Sequence, residues 1–223
     1  MTTVAIHQPN YLPYLGYFEK IRDSDIFVFL DNVTYTKNRL INRNKIKTPD
    51  GRCWLTVPVV NKSILQTCIG DVKISNTVNW RKKHWNSIRY NYGRASSFKK
   101  YKSFFEDIYN TEWELLAELN EYLIEEICNF LGITNAFVKA STLDVEGAGT
   151  NLLVSICEAL EADVYFSGGG AGDYMDCSEF KRKDIDVIIQ KFEAPIYSQL
   201  HGEFILNLSV IDFLLNCEGE PKW

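Results

Sequence analysis

An α/β fold, with a mostly parallel sheet and an added helical segment, is predicted by three features of this 223-residue chain. Short apolar, β-branched runs alternate with helical patterns. The opening reads strand, loop, helix, strand within about thirty residues, the grammar of a βαβ unit. Long amphipathic stretches fill the middle. In order, Thr2–His7 contains Thr-Val-Ala-Ile, a run suited to a buried strand, and stops at the turn signal Gln8-Pro9-Asn10. Leu12–Ile21 reads as a helix, with Pro13 tolerated in its first turn. Ile26–Leu30 is a second apolar strand ending at Asp31-Asn32, residues 33–52 are polar and basic, and Trp54–Val59 resumes a strand pattern. Residues 79–109 and 112–131 are predicted helical. In the second, Leu116, Leu119, Leu123, Ile127 and Phe130 recur at three- and four-residue steps, and Gly132 is a natural stop. Strands are expected at 136–140, 164–166 and 186–190, and helices at about 150–161 and 208–217. With no repeat, low-complexity tract or linker-like composition shift, the expectation is one Rossmann-like α/β domain over 1–223, carrying a mainly helical segment at about 79–131.

Composition narrows the classes. Hydrophobic residues make up 46% and charged residues 24%, which is globular rather than disordered. A chain of this length buries roughly 70% of its unfolded surface. No apolar run approaches the ~20 residues of a membrane-spanning helix, and the first residues lack the basic and apolar regions of a signal peptide. A cytoplasmic location and no membrane partner are expected. Six scattered cysteines show no CxxC and no zinc spacing, so reduced, buried thiols and no metal site are expected. Residues 1–110 hold 18 Lys+Arg and 8 Asp+Glu, whereas residues 111–223 hold 6 and 21. This asymmetry fits a first half that faces an anion; the alternative is two charged surfaces complementing each other within one fold.

Four stretches can carry chemistry. In the first, His7, Gln8, Asn10 and Tyr11 sit in a proline-framed loop at the end of the first strand, where parallel sheets bind ligands, and lead toward a helix N-terminus that favours anions. The second, 37–47, interleaves five cations with three Asn; Lys37, Asn38, Arg43, Asn44 and Lys45 suit a phosphate-bearing ligand, a solvated loop being the alternative. Nucleic acid is disfavoured by the net charge of −5 and by the absence of a recognisable signature, a tRNA partner excepted. The third runs from a strand into the glycine-rich turn Ser167, Gly168, Gly169 and Gly170, followed by Asp173 and Tyr174. It lets backbone N–H groups approach a ligand, yet has neither a Walker lysine nor GxGxxG spacing. The fourth, 197–204, holds Gln199, with His201 and Glu203 as a candidate acid/base pair.

Together these stretches resemble the WbqC-like proteins, found beside genes for bacterial surface polysaccharide synthesis. The resemblance is carried by IHQPNYLPYLGYFEKI at 6–21, DIFVFLDNVTYTKNRLINRNKIKTPDGRCWLTVPV at 25–59, YFSGGGAGDYMD at 165–176 and YSQLHGEFILNLSVIDFLLNC at 197–217. The family pattern usually has a proline and a lysine where Gly169 and Gly172 stand. The resemblance implies O-antigen chemistry on nucleotide-linked amino sugars, whose amine receives an amino acid such as glycine or a related acyl group. It implies transferase or ligase chemistry, for which the residues themselves offer His7 or His201 as base, an unperturbed imidazole having a pKa of about 6.5. ATP, an acyl thioester or an aminoacyl-tRNA would activate the acyl group. A fainter likeness to the HxGH nucleotidyltransferase superfamily, which includes pantothenate synthetase, places Tyr14-Leu15-Gly16-Tyr17 at the motif, with both histidines replaced. A non-catalytic sugar-nucleotide-binding module is the third possibility.

Overall fold

A computed structural model describes residues 1–60, 64–170, 175–219 and 221. The expected Asp173 and Tyr174 contacts lie outside these residues. Five strands, β1 (Thr3–His7), β2 (Ile26–Phe29), β5 (Ala136–Lys139), β6 (Val164–Ser167) and β7 (Asp186–Ile189), form one sheet in the order β5-β2-β1-β6-β7. Every pairing is parallel, with Ala5 opposite Phe27 on one side and Phe166 on the other. Counted in chain order, the strands stand third, second, first, fourth, fifth, the doubly wound arrangement in which the chain reverses direction beside β1. The central strands read as unbroken apolar runs because both faces are covered. Ala5, Phe27, Phe29 and Phe166 pack with α1 (Leu15–Arg22) and α4 (Leu116–Phe130). Val4, Ile6, Val28 and Tyr165 pack with α5 (Thr150–Ala159) and α6 (Cys177–Lys181).

The βαβ opening is as expected, and α4 stops just before Gly132, whose φ of 70° suits a residue without Cβ. The polar stretch 33–52 is more structured than a loop. An antiparallel hairpin of β3 (Arg43–Thr48) and β4 (Gly51–Thr56) occupies its second half, turned at Thr48–Gly51 with Gly51 at φ +102°. Its sequence disguises it because Asn44 and Lys47 take buried positions that an apolar pattern would mark. The helical stretch 79–109 is likewise two helices, α2 (Trp80–Tyr92) and α3 (Phe98–Asn110), broken where Ser97 bonds back to α7 (Val210–Asn216): its N–H meets the Leu215 carbonyl at 3.0 Å and its hydroxyl the Cys217 carbonyl at 2.6 Å. All six cysteines are free. Cys128 and Cys157 are buried as expected, but Cys177 is exposed, because it opens the short surface helix α6. No described helix is long and apolar enough to cross a membrane.

Candidate functional site

The reversal beside β1 leaves a crevice beyond the carboxyl ends of β1 and β6, the place where open α/β sheets hold ligands. There the structure forms a cavity of about 600 Å³ lined by His7, Gln8, Ser167, Gly168 and Gly170, with the N-terminus of α5 at Gly149–Thr150 on its rim. A second cavity, also about 600 Å³, opens on the other side of the glycine turn and shares Gly170 with the first. Asn44, Lys45, Gln190 and Lys191 give it a polar lining, with Tyr14 and Phe192 as aromatic walls in edge contact at 5.5 Å. At Gly169 the turn runs so close to the next strand that a Cβ would sit 3.2 Å from the Gln190 carbonyl. Among the described residues, no group of three His, Cys, Asp or Glu is placed to hold a metal.

His7 is half-buried, its ring edge-on to Tyr17 at 4.8 Å. Nδ1 lies 3.0 Å from the Gln8 carbonyl, which fixes the proton on Nδ1 and leaves Nε2 as the free acceptor. Burial, reinforced by the neighbouring Lys20 charge, pushes its pKa down to about 3. The expectation of a base near the ordinary imidazole value is thereby corrected. His7 is a neutral hydrogen-bonding group at physiological pH.

Lys20, on α1, is the buried cation among the cavity residues that sequence reasoning missed, Gln190 and Lys191 being others. It is 3% exposed, and its ammonium donates to the Ile6 carbonyl at 2.7 Å. Among the described residues no carboxylate pairs with it, and burial lowers its pKa to about 7. The available signal was its helical position: three residues after Tyr17 and adjacent to Ile21, it lies on the face α1 buries. Ser167 is fully buried. Its hydroxyl meets no partner in full hydrogen-bond geometry, although the Tyr165 phenol lies close enough to interact with it.

Other expected residues go elsewhere. Tyr11 is fully buried in the helical region, its hydroxyl 2.7 Å from that of Tyr109 and 3.0 Å from His84 Nδ1. Asn10 is buried and lines neither cavity. The loop that carries both is pinned by Asn120, whose amide donates at 2.8 Å to both the Pro9 and Ile41 carbonyls. Of the polar residues expected from the cationic stretch, Asn44 and Lys45 line the second cavity. Asn44 donates to the Leu12 carbonyl at 2.6 Å, while Arg43 and Lys45 lie 4.4 and 4.6 Å from the Trp54 ring centre. Lys37 and Asn38 are exposed, and the Asn38 carbonyl accepts from Arg43.

His201, Glu203 and Gln199 belong to a different structure, the loop that clasps α2 and α7. His201 Nε2 lies 2.8 Å from the Asn91 carbonyl, and Gln199 exchanges hydrogen bonds with Ile205. The Glu203 carbonyl accepts from buried Lys47 at 2.5 Å while its side chain faces outward. None of the three lines either cavity.

Comparison with known proteins covers nearly the whole chain. The chain is 35% identical to a Mycobacterium tuberculosis protein described as uncharacterized protein Rv1507c, over 222 residues that make up 99% of this chain and 96% of that one. No solved structure matches it significantly. Residues 8–222 match the WbqC-like protein family, and to that family this chain belongs.

Proposed function

We propose that this chain forms an amide on a nucleotide-linked amino sugar, transferring an amino acid or related acyl group to the sugar's amine during surface-polysaccharide synthesis. The observation that carries the reading is the pair of cavities meeting at Gly170, one at the sheet's reversal point and one lined by amides and cations. Two substrates seated on either side of a backbone turn bring an amine and an acyl carbon together at a place rich in N–H donors. The amine lone pair attacks the acyl carbon, the leaving group departs with its electron pair, and the nitrogen loses a proton to solvent. His7 does not take that proton. Its neutral Nε2 accepts a hydrogen bond from the amine and aims the lone pair, so the rate follows the fraction of substrate amine that is unprotonated. Family membership supports the setting.

The test is incubation of the protein with nucleotide-linked amino sugars and amino acids, glycine first, in the presence of ATP, acyl thioesters or aminoacyl-tRNA, with products weighed by mass spectrometry. A sugar nucleotide heavier by one acyl residue supports the reading; no mass gain with any donor overturns it. Nucleotidyl transfer is the weaker reading. At the position of the first missing histidine, Tyr14 is a cavity wall, and at the second, Tyr17 is buried with its hydroxyl donating to the Gln8 carbonyl.

A further inference from the structure

We propose that the cavity beside β1 is a phosphate site, in which the N-terminus of α5, the Lys20 ammonium and the Ser167 hydroxyl converge on one phosphate group. Three separate elements contribute. The ten-residue helix α5 starts at the cavity rim with Gly149 as its N-cap, which has no side chain to satisfy the first N–H groups, and no acidic residue stands in its first turn. Such a terminus carries about half a positive charge and exposes N–H donors to whatever faces it. Lys20 reaches the same cavity from α1 on the opposite face of the sheet, buried and without a carboxylate among the described residues. A cation kept in the interior with no counter-ion is costly, and its retention is explained if a ligand brings the negative charge. Ser167, at the end of β6, adds a fully buried hydroxyl with no partner in full hydrogen-bond geometry.

The remaining lining agrees. No Asp or Glu is among the described residues of the cavity, so none of these repels an anion. Leu30, Val33, Leu153 and Met175 form apolar walls against which the uncharged body of a phosphate-bearing molecule can lie. That this body is a nucleotide-linked sugar rests on the function proposed above; the phosphate site itself rests on the geometry. The assignment also separates the two cavities, leaving the polar one, with Lys45 and Lys191, to the second substrate.

Titration calorimetry of the full chain with inorganic pyrophosphate tests this without any acyl donor, so the result is independent of whether the chain forms amides. One site is expected, weakened at least tenfold in Lys20→Met and severalfold in Ser167→Ala. Lys99→Met, which removes an equal charge from exposed α3, controls for net charge and is expected to bind as the parent does. If Lys20→Met fails to fold, acetic anhydride labelling of the parent replaces it: pyrophosphate is expected to protect Lys20 from acetylation. No binding, equal affinity in Lys20→Met, or protection of Lys45 with Lys20 still labelled would each overturn the assignment.

Discussion

At Lys20 a cation occupies a position that the helix pattern reserves for an apolar side chain, and this has a thermodynamic consequence in the empty protein. Its folded pKa, about 7, lies below the usual lysine value of 10.5, so folding is penalised wherever the unfolded chain carries this lysine protonated. The penalty is complete below about pH 7 and is relieved as pH rises toward 10.5. Lys20→Met is therefore expected to stabilise the ligand-free protein by about 1–3 kcal/mol at neutral pH, with the advantage fading in alkaline buffer. Urea unfolding of both proteins at pH 7 and pH 10 checks it; a destabilised variant at pH 7 would contradict the account. His7 shows the opposite balance. Its ring contributes an edge contact with Tyr17, worth about 1 kcal/mol, while its Nε2 aims the amine. His7→Ala is expected to fold, and to lower kcat about 100-fold. The kcat profile of the parent should show no break near pH 6.5, where an ordinary histidine would titrate.

Between elements, two polar contacts hold the site's surroundings in place. Tyr92 on α2 accepts the Lys47 N–H of β3 at 2.8 Å and donates to Asp212 of α7 at 3.1 Å, and Tyr197 donates to the same carboxylate at 3.2 Å. Burial raises Asp212 to about 6, with the tyrosine hydrogen bonds pulling it partly back. Because the folded value is raised, the stability this group contributes is full below about pH 4 and is lost as pH rises to about 6. Relative to the parent, Asp212→Asn is expected to remove a pH-dependent loss of about 3 kcal/mol, measurable as the difference between their urea midpoints at pH 4 and pH 7. The second contact is at Gly16, whose carbonyl accepts from Gln190 at 2.8 Å. A Cβ there would stand 2.5 Å from the Tyr14 ring and 2.8 Å from that of Phe192. Gly16→Ala is expected to cost about 1–3 kcal/mol and to distort the polar cavity, raising the KM of one substrate with kcat little changed. Neither contact is legible in sequence, because each depends on a pair more than a hundred residues apart, Tyr92 with Asp212 and Gly16 with Gln190.

Over the whole molecule, the cations Arg43, Lys45 and Lys47 are divided among different partners rather than gathered on one anion-binding face. Arg43 and Lys45 stack on Trp54, Lys47 is spent on the Gly202 and Glu203 carbonyls, and of the three it is Lys45 that lines the polar cavity. Lys45→Met is accordingly expected to weaken substrate binding more than Arg43→Met, with a salt dependence that shrinks in the variant; KM measured at two ionic strengths checks it. The sequence by itself determined the parallel sheet and the edge where its loops gather, since strands buried on both faces must be apolar throughout and must end in turn residues. His7 and the Ser167–Gly170 turn meet at one cavity for that reason, as strands β1 and β6 are neighbours running the same way. Only the tertiary structure decided which polar side chains serve the cavity and which serve the fold. Tyr11, Gln199 and His201 look equally chemical in sequence, yet each finds its hydrogen-bond partner in the scaffold. Lys20 looked like an ordinary helix lysine until the sheet, α1 and α5 closed around it. A side chain's chemistry is set by the dielectric and partners about it, and those are supplied by residues remote in the chain.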